Sequence, residues 1–194
     1  MAVRLGLDAS QPYASCAVAK GAEIVAALSR EKAIENFPAL IRDTLAHAQV
    51  SLQDIDEIVV CIGPGSQTGV RAAVVTGNAL ALALDKPISG VLTTDAAAVL
   101  APADKADSIA VSAGRRRWYV ENYHWQDEKL QRTGELRLQD ELPANAFAAL
   151  SPNPGELKSC AYGILLVAEQ QRHLIEQSLL SEIIPYETGN NNII

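Results

Sequence analysis

The apolar and polar positions at the start of the chain fall into short runs separated by turn residues. Residues 3–7 form one such run and end at Asp8. A turn through Gln11 and Pro12 follows, then a second run over 14–19. Lys20 and Gly21 make a tight hairpin turn into a third run, 23–28, so three strands are predicted here. The period then changes. Ile34, Phe37, Leu40, Ile41, Thr44, Leu45 and Ala48 recur at spacings of three and four, the stripe of an amphipathic helix. Pro38 is tolerated in a first turn, which places the start of the regular helix near Phe37. Ser51 to Asp54 has the shape of a capping box opening one helical turn, and residues 57–62 read as a buried strand.

Gly63-Pro64-Gly65-Ser66 breaks that strand and feeds a helix running to about Leu84, after which Pro87 and Ile88 begin another apolar strand. Strand, loop, helix and strand, with both strands apolar, predict a parallel crossover. Thr93 or Thr94 caps a further Ala-rich helix that ends before Pro102. Residues 101–107 have the composition of a linker, and the texture changes beyond them. Strands are predicted over 108–113, 117–123 and 129–138, in a stretch holding both tryptophans. A short helix follows over 142–150, a loop over 151–155 and a longer helix over 164–180. No fixed-period repeat is present. The pattern predicts two unequal α/β lobes, residues 1–101 and 102–194.

Composition narrows the classes. At 194 residues, with 48% hydrophobic and 20% charged residues, the chain is neither disordered nor fibrous and is long enough to bury a sizeable core. The net charge of −7 argues against a free-standing nucleic-acid binder, while a local basic patch can still contact RNA within a complex. Cys16, Cys61 and Cys160 are isolated and odd in number, which suggests a reducing compartment. Arg4 and Asp8 interrupt any signal-peptide core. The most apolar stretch, 70–84, contains Thr76 and Asn78 and is too short to span a bilayer comfortably. A cytoplasmic protein without a membrane segment is expected.

The outstanding local feature is Gly63-Pro64-Gly65-Ser66-Gln67-Thr68-Gly69-Val70-Arg71, between a strand and a helix. Its glycines permit positive φ or close backbone approach, and Ser66 is placed to cap the helix. Two readings stand side by side: a tight turn with Gly69 packed closely, or free N–H groups that contact an anion or nucleotide. The spacing is neither that of a Walker A loop nor that of a dinucleotide fingerprint. Arg71, early in the helix where the dipole disfavours a cation, is either an external contact or a solvated side chain. Asp8 and Ser10 at the end of the first strand suit either an Asx-type turn or a metal–phosphate site. His47, His124 and His173 show no ligand spacing, no catalytic triad can be assembled, and no metal site is expected. Arg115-Arg116-Arg117-Trp118-Tyr119 is the most basic run. It reads either as a solvated turn entering a strand or as a phosphate and base contact.

Residues 3–18 resemble the "LALDTS…CSVA" opening of the TsaB/YeaZ family. Residues 62–71 resemble its "GPGSFTGLR" signature, and Arg115 to Tyr119 are similar to its "ARRGEVY" strand. The resemblance covers most of residues 3–125. It implies the ASKHA fold (actin, Hsp70 and sugar kinases; ribonuclease H-like), in two lobes with the C-terminal one reduced. It also implies a non-catalytic subunit that supports TsaD in making N6-threonylcarbamoyladenosine at position 37 of ANN-decoding tRNAs. TsaE is an implied further partner, a homodimer is implied in isolation, and tRNA is reached at most through the complex. No cofactor is implied beyond a nucleotide at the interface with the partner. The signature maps onto Gly63, Pro64, Gly65, Ser66, Thr68, Gly69 and Arg71, with Asp8 and Ser10 as vestigial cofactor positions. Ile34, Phe37, Leu40, Ile41, Val70, Val74 and Gly77 on the two N-lobe helices are expected at the partner interface. Gln67 stands where the family usually has Phe, and Ala9 where it has Thr. Residues 32–38, with Lys32 and Asn36, lack the His of the family's "HSExLLP" segment, which bears on pairing with TsaD. A nucleotide-dependent, kinase-like enzyme of the same superfamily is the alternative.

Overall fold

The computed structural model describes residues 1–31, 35, 37–102, 107–114, 116–127, 129–149, 160–171 and 176–178. Lys32, Ile34, Asn36, Arg115, His173 and the predicted loop over 151–155 therefore lie outside the described residues.

The first sheet is mixed. Strands β1 (Val3–Asp8), β2 (Tyr13–Lys20) and β3 (Glu23–Glu31) form an antiparallel meander. β4 (Glu57–Cys61) and β5 (Ile88–Val91) then add in parallel on the other side of β1. Helix α1 (Phe37–Ala48) begins where the proline argument places it, and α2 (Gln67–Leu84) connects β4 to β5 as the predicted crossover. Alternation along β4 explains the layers. Ile58 and Val60 join Phe37, Leu40, Val70 and Val74 in one core, under α1 and α2. Val59 and Cys61 face the opposite core, built with α4 (Cys160–Gln170). The sheet is buried on both sides, as its parallel centre requires.

The second sheet contains β6 (Ser108–Gly114), β7 (Arg117–Gln126), β8 (Lys129–Arg132), β9 (Arg137–Gln139) and β10 (Phe147–Ala149). It packs Ile109, Val111 and Tyr123 on Ala97 and Ala98 of α3 (Thr93–Leu100). The chain then returns. α4 lies across the first sheet, and β11 (Glu176–Ser178) pairs antiparallel with β5. A Cβ at Gly6 would meet the Ala161 carbonyl oxygen at 2.9 Å, so α4 rides almost on the backbone of β1. Arg4 fixes the far end of that helix, with Glu57 at 3.0 Å and Glu169 at 2.5 Å.

Four local expectations are corrected. Residues 142–150 are not a helix: Pro143 accepts from the Ala146 N–H in a turn, and Phe147–Ala149 pair in parallel with β6. Long-range pairing outweighs the helix propensity of alanine there. The helix expected over 164–180 starts at Cys160 and ends at Gln170, and residues 176–178 are strand. The strand expected over 129–138 is two, β8 and β9, pairing with different stretches of β7. Thr93 and Thr94 lie inside α3, whose cap is Leu92 without a side-chain bond.

Candidate functional site

The carboxyl ends of β1, β4 and β5 meet at one point, and the Gly-rich segment closes over it. The Asp8 carboxylate accepts the Ser10 N–H at 2.9 Å, an Asx-type turn, and the Ser15 hydroxyl at 3.5 Å. The Ser15 hydroxyl in turn accepts the Ala161 N–H at the start of α4, at 3.1 Å. The Ser10 carbonyl accepts the Ser66 N–H at 2.7 Å, and the Gly63 carbonyl accepts the Thr93 N–H at 2.7 Å. The Gly63–Pro64 peptide is cis. Ser66 caps α2, its hydroxyl accepting the Gly69 N–H at 3.4 Å. Cys61 Sγ lies 2.9 Å from Thr93 Oγ1 beneath this junction.

The geometry supports the packing reading of the motif. A Cβ on Gly65 would overlap the Ser10 carbonyl oxygen, and one on Gly69 the Ala9 carbonyl oxygen. Of the N–H groups at this helix start, those of Ser66, Gly69 and Val70 already have acceptors. Asp8 and Ser10 are each 1% exposed, so no phosphate reaches them with this loop in place. The buried Ser10 hydroxyl has no bonding partner among the described residues, a cost that the close approach of Gly65 imposes. Among the described residues no group of three His, Cys, Asp or Glu converges to hold a metal, and no helix is long and apolar enough to cross a membrane. Burial pushes the Cys16 thiol up to about 12, so it is inert at neutral pH.

The proposed contact residues on the helices lie elsewhere than expected. Phe37, Leu40 and Ile41 of α1 and Val70, Val74 and Gly77 of α2 all face the chain's own core. A Cβ on Gly77 would overlap Val60. A stripe at spacings of three and four marks the face a helix buries, and here that face is taken by the sheet. The outer face of α2 carries Thr68, Arg71, Val75, Ala79 and Leu82. Val75 and Leu82 are 66% and 74% exposed, an apolar pair two helical turns apart at the surface. Apolar residues on both faces of α2 are the signal in the sequence that points to them.

A second cluster has no local signature in the sequence, because its members are far apart along it. The Tyr123 hydroxyl lies 2.7 Å from Asp95 and 3.0 Å from Glu121. Thr94 donates to Glu121 at 2.6 Å, and Arg132 grips Asp95 through two bonds of 3.0 and 2.5 Å. Asp95, Glu121 and Tyr123 are buried. Burial pushes the Glu121 carboxyl up, against the Thr94 bond and the Arg132 charge, and pushes the Tyr123 phenol well up. The cluster ties α3 to the second sheet.

The family profile described as TsaD, tRNA N6-adenosine threonylcarbamoyltransferase, matches residues 18–151. The tRNA threonylcarbamoyladenosine biosynthesis protein TsaB of Bacillus subtilis (strain 168) is 40% identical over 70 residues, 36% of this chain and 30% of that protein. The protein of the same description from Buchnera aphidicola subsp. Schizaphis graminum is 32% identical over 93 residues, 46% of this chain and 43% of that one. The matched segments span less than half the length of either relative. Among solved structures, YeaZ from Pseudomonas aeruginosa superposes with a TM-score of 0.70 at 22% identity, over 89% of this chain and 93% of that one. A second, described as an uncharacterized protein with similarity to peptidase YeaZ from Pseudomonas aeruginosa, gives 0.72 at 22% identity over 96% and 99%. At that identity the likeness is one of fold.

Proposed function

Because the chain belongs to the TsaB/YeaZ branch of the family that the TsaD profile describes, we propose that it is a non-catalytic subunit. In this reading it supports a TsaD-like partner in threonylcarbamoyl transfer to N6 of adenosine 37 in tRNAs reading ANN codons. The fold is then the two-lobed ASKHA arrangement with a reduced second lobe, joined near residues 101–107. The setting is the cytoplasm, with TsaE as a further partner and a homodimer in isolation. The observation that carries the reading is a contrast between two places. The Asp8–Ser10 junction, which the sequence offered as a phosphate position, is closed over by Gly65, Gly69 and the start of α4. The outer face of α2 leaves Val75 and Leu82 in water. The first feature disfavours the kinase-like alternative, and the second is what a subunit working through a partner needs. A nucleotide, if held, sits between this chain and its partner.

The test is co-purification of the full chain with the host's TsaD-type protein. Burying two side chains the size of Val75 and Leu82 contributes ~1.5–3 kcal/mol each. Val75→Glu/Leu82→Glu is therefore expected to weaken pairing by about a hundredfold or more, with the unfolding midpoint little changed. If a folded TsaD-type protein ignores the unaltered chain, the subunit reading falls. If the double variant pairs normally, α2 is not the docking face.

A further inference from the structure

The outer face of the second sheet differs in charge from the rest of this acidic chain. Directly paired residues share a face of an antiparallel sheet. The register therefore places Trp118, Asn122 and His124 of β7 on one face with Gln131 of β8 and with Arg137 and Gln139 of β9. Asn122, His124, Gln131 and Arg137 are exposed and Trp118 and Gln139 partly exposed, while Val120 between them and Ser108 and Ala110 of β6 on the same face are buried. The alternate residues of β7 point inward, to the buried cluster of Glu121, Tyr123 and Asp95. No Asp or Glu occupies the outer face at any position of β6, β7, β8 or β9. Asp127, Glu135, Asp140 and Glu141 flank it, in the turns at the strand ends.

The arginines sharpen this. Eight are described. Arg4, Arg30, Arg42 and Arg132 stand in ion pairs, and Arg71 has an interaction of its own. The three with no ion pair among the described residues are Arg116, Arg117 and Arg137; Arg137 shares the face of Trp118 and Arg116 stands in the turn before it, while Arg117 alternates to the other face of β7. Arg137 pairs opposite Val120, so it is the diagonal neighbour of Trp118, within reach of a long side chain. Arg116 holds φ at +63° in the exposed β6–β7 turn, a conformation that glycine adopts without cost and arginine does not. A cation kept at a strained turn, beside Arg137 and an aromatic ring on an acid-free sheet face, suits a phosphate chain with stackable bases.

We propose that this face, from the β6–β7 turn across β7 to β9, is a platform for a single-stranded stretch of RNA. Arg116 and Arg137 take phosphates, and Trp118 stacks a base. The charge argument stands on this chain alone. The choice of tRNA as the polyanion rests on the subunit reading above. Inside the complex, this chain then contributes RNA affinity as well as support.

The experiment measures binding of a fluorescent anticodon stem–loop RNA, across a salt series, to the full chain alone and in complex with its TsaD-type partner. Each lost phosphate contact on a single strand lowers the slope of log K against log salt by ~0.7. Arg116→Ala/Arg137→Ala is expected to flatten it by about 1.4 in the complex. Trp118→Ala is expected to lose about tenfold in affinity with the slope unchanged, and Trp118→Phe to restore most of it. An RNA that binds every variant with the affinity and slope of the unaltered chain overturns the proposal, as does an RNA that binds none of them in either form. Pairing is read on the same samples. Arginine-dependent RNA binding without pairing keeps the platform and removes the subunit reading. Pairing with arginine-independent RNA binding does the reverse.

Discussion

Gly69→Ala is expected to lower the unfolding free energy by about 3 kcal/mol, the upper end of the usual cost of overpacking. Gly69 lies in the first turn of α2, where alanine is favoured over glycine by ~1 kcal/mol of helix propensity. Propensity alone therefore predicts a gain. Against it stands the Ala9 carbonyl oxygen, which the new methyl would overlap well inside the 3.0 Å that real Cβ atoms keep. That neighbour is backbone and cannot rotate away. It belongs to the turn that Asp8 and Ser10 hold and on which Ser66 closes. The clash wins, and relief requires α2 to lift from the junction. Gly134→Ala is the control, since nothing lies within 4 Å of its added methyl. Urea unfolding of both variants decides the matter. A Gly69→Ala midpoint equal to that of the unaltered chain would mean the Gly-rich segment does not pack as described.

The same residue shows why part of the fold is legible in the sequence. The Gly-rich segment, the hairpin turn at Gly21 and the crossover through α2 are signalled by local residue types, and they stand where those types place them. What depends on distant partners is not signalled in this way. Phe147–Ala149 look helical until Ile109–Val111 are beside them. Residues 176–178 become strand through pairing with β5. The helix stripe marks the apolar residues correctly, yet the sheet of the same chain, rather than a partner, covers their face. Periodicity tells which side of a helix is apolar, not what lies against that side. Val75 and Leu82 break the stripe, and for that reason they carry more functional information than the residues that keep it.

Asp95→Asn and Glu121→Gln are expected to act in opposite senses, although the two carboxyls touch the same tyrosine hydroxyl. Removing the charge of Asp95 leaves the Arg132 guanidinium, itself only partly exposed, without its two-bonded partner. Breaking such a pair costs ~3–5 kcal/mol when fully buried, so a loss of about 3 kcal/mol at pH 7 is expected. Glu121 is different. The Tyr123 hydroxyl has one proton, and the shorter bond gives it to Asp95. The Glu121 oxygen at 3.0 Å then faces a lone pair unless it carries a proton of its own, and burial favours that neutral form. A carboxyl whose folded value is raised stabilises the fold fully below its ordinary value of 4.5, and that contribution is lost as pH rises through the folded value. The carboxamide nitrogen introduced by Glu121→Gln, standing where the one Oε2 atom meets both hydroxyls, donates to the Tyr123 and Thr94 oxygens at every pH. Glu121→Gln is therefore expected to match the unaltered chain near pH 4 and to be the more stable of the two at pH 8. Unfolding midpoints taken across that range test the pair together. A Glu121→Gln chain that falls progressively below the unaltered chain as pH rises would show instead that this carboxyl is held as an anion.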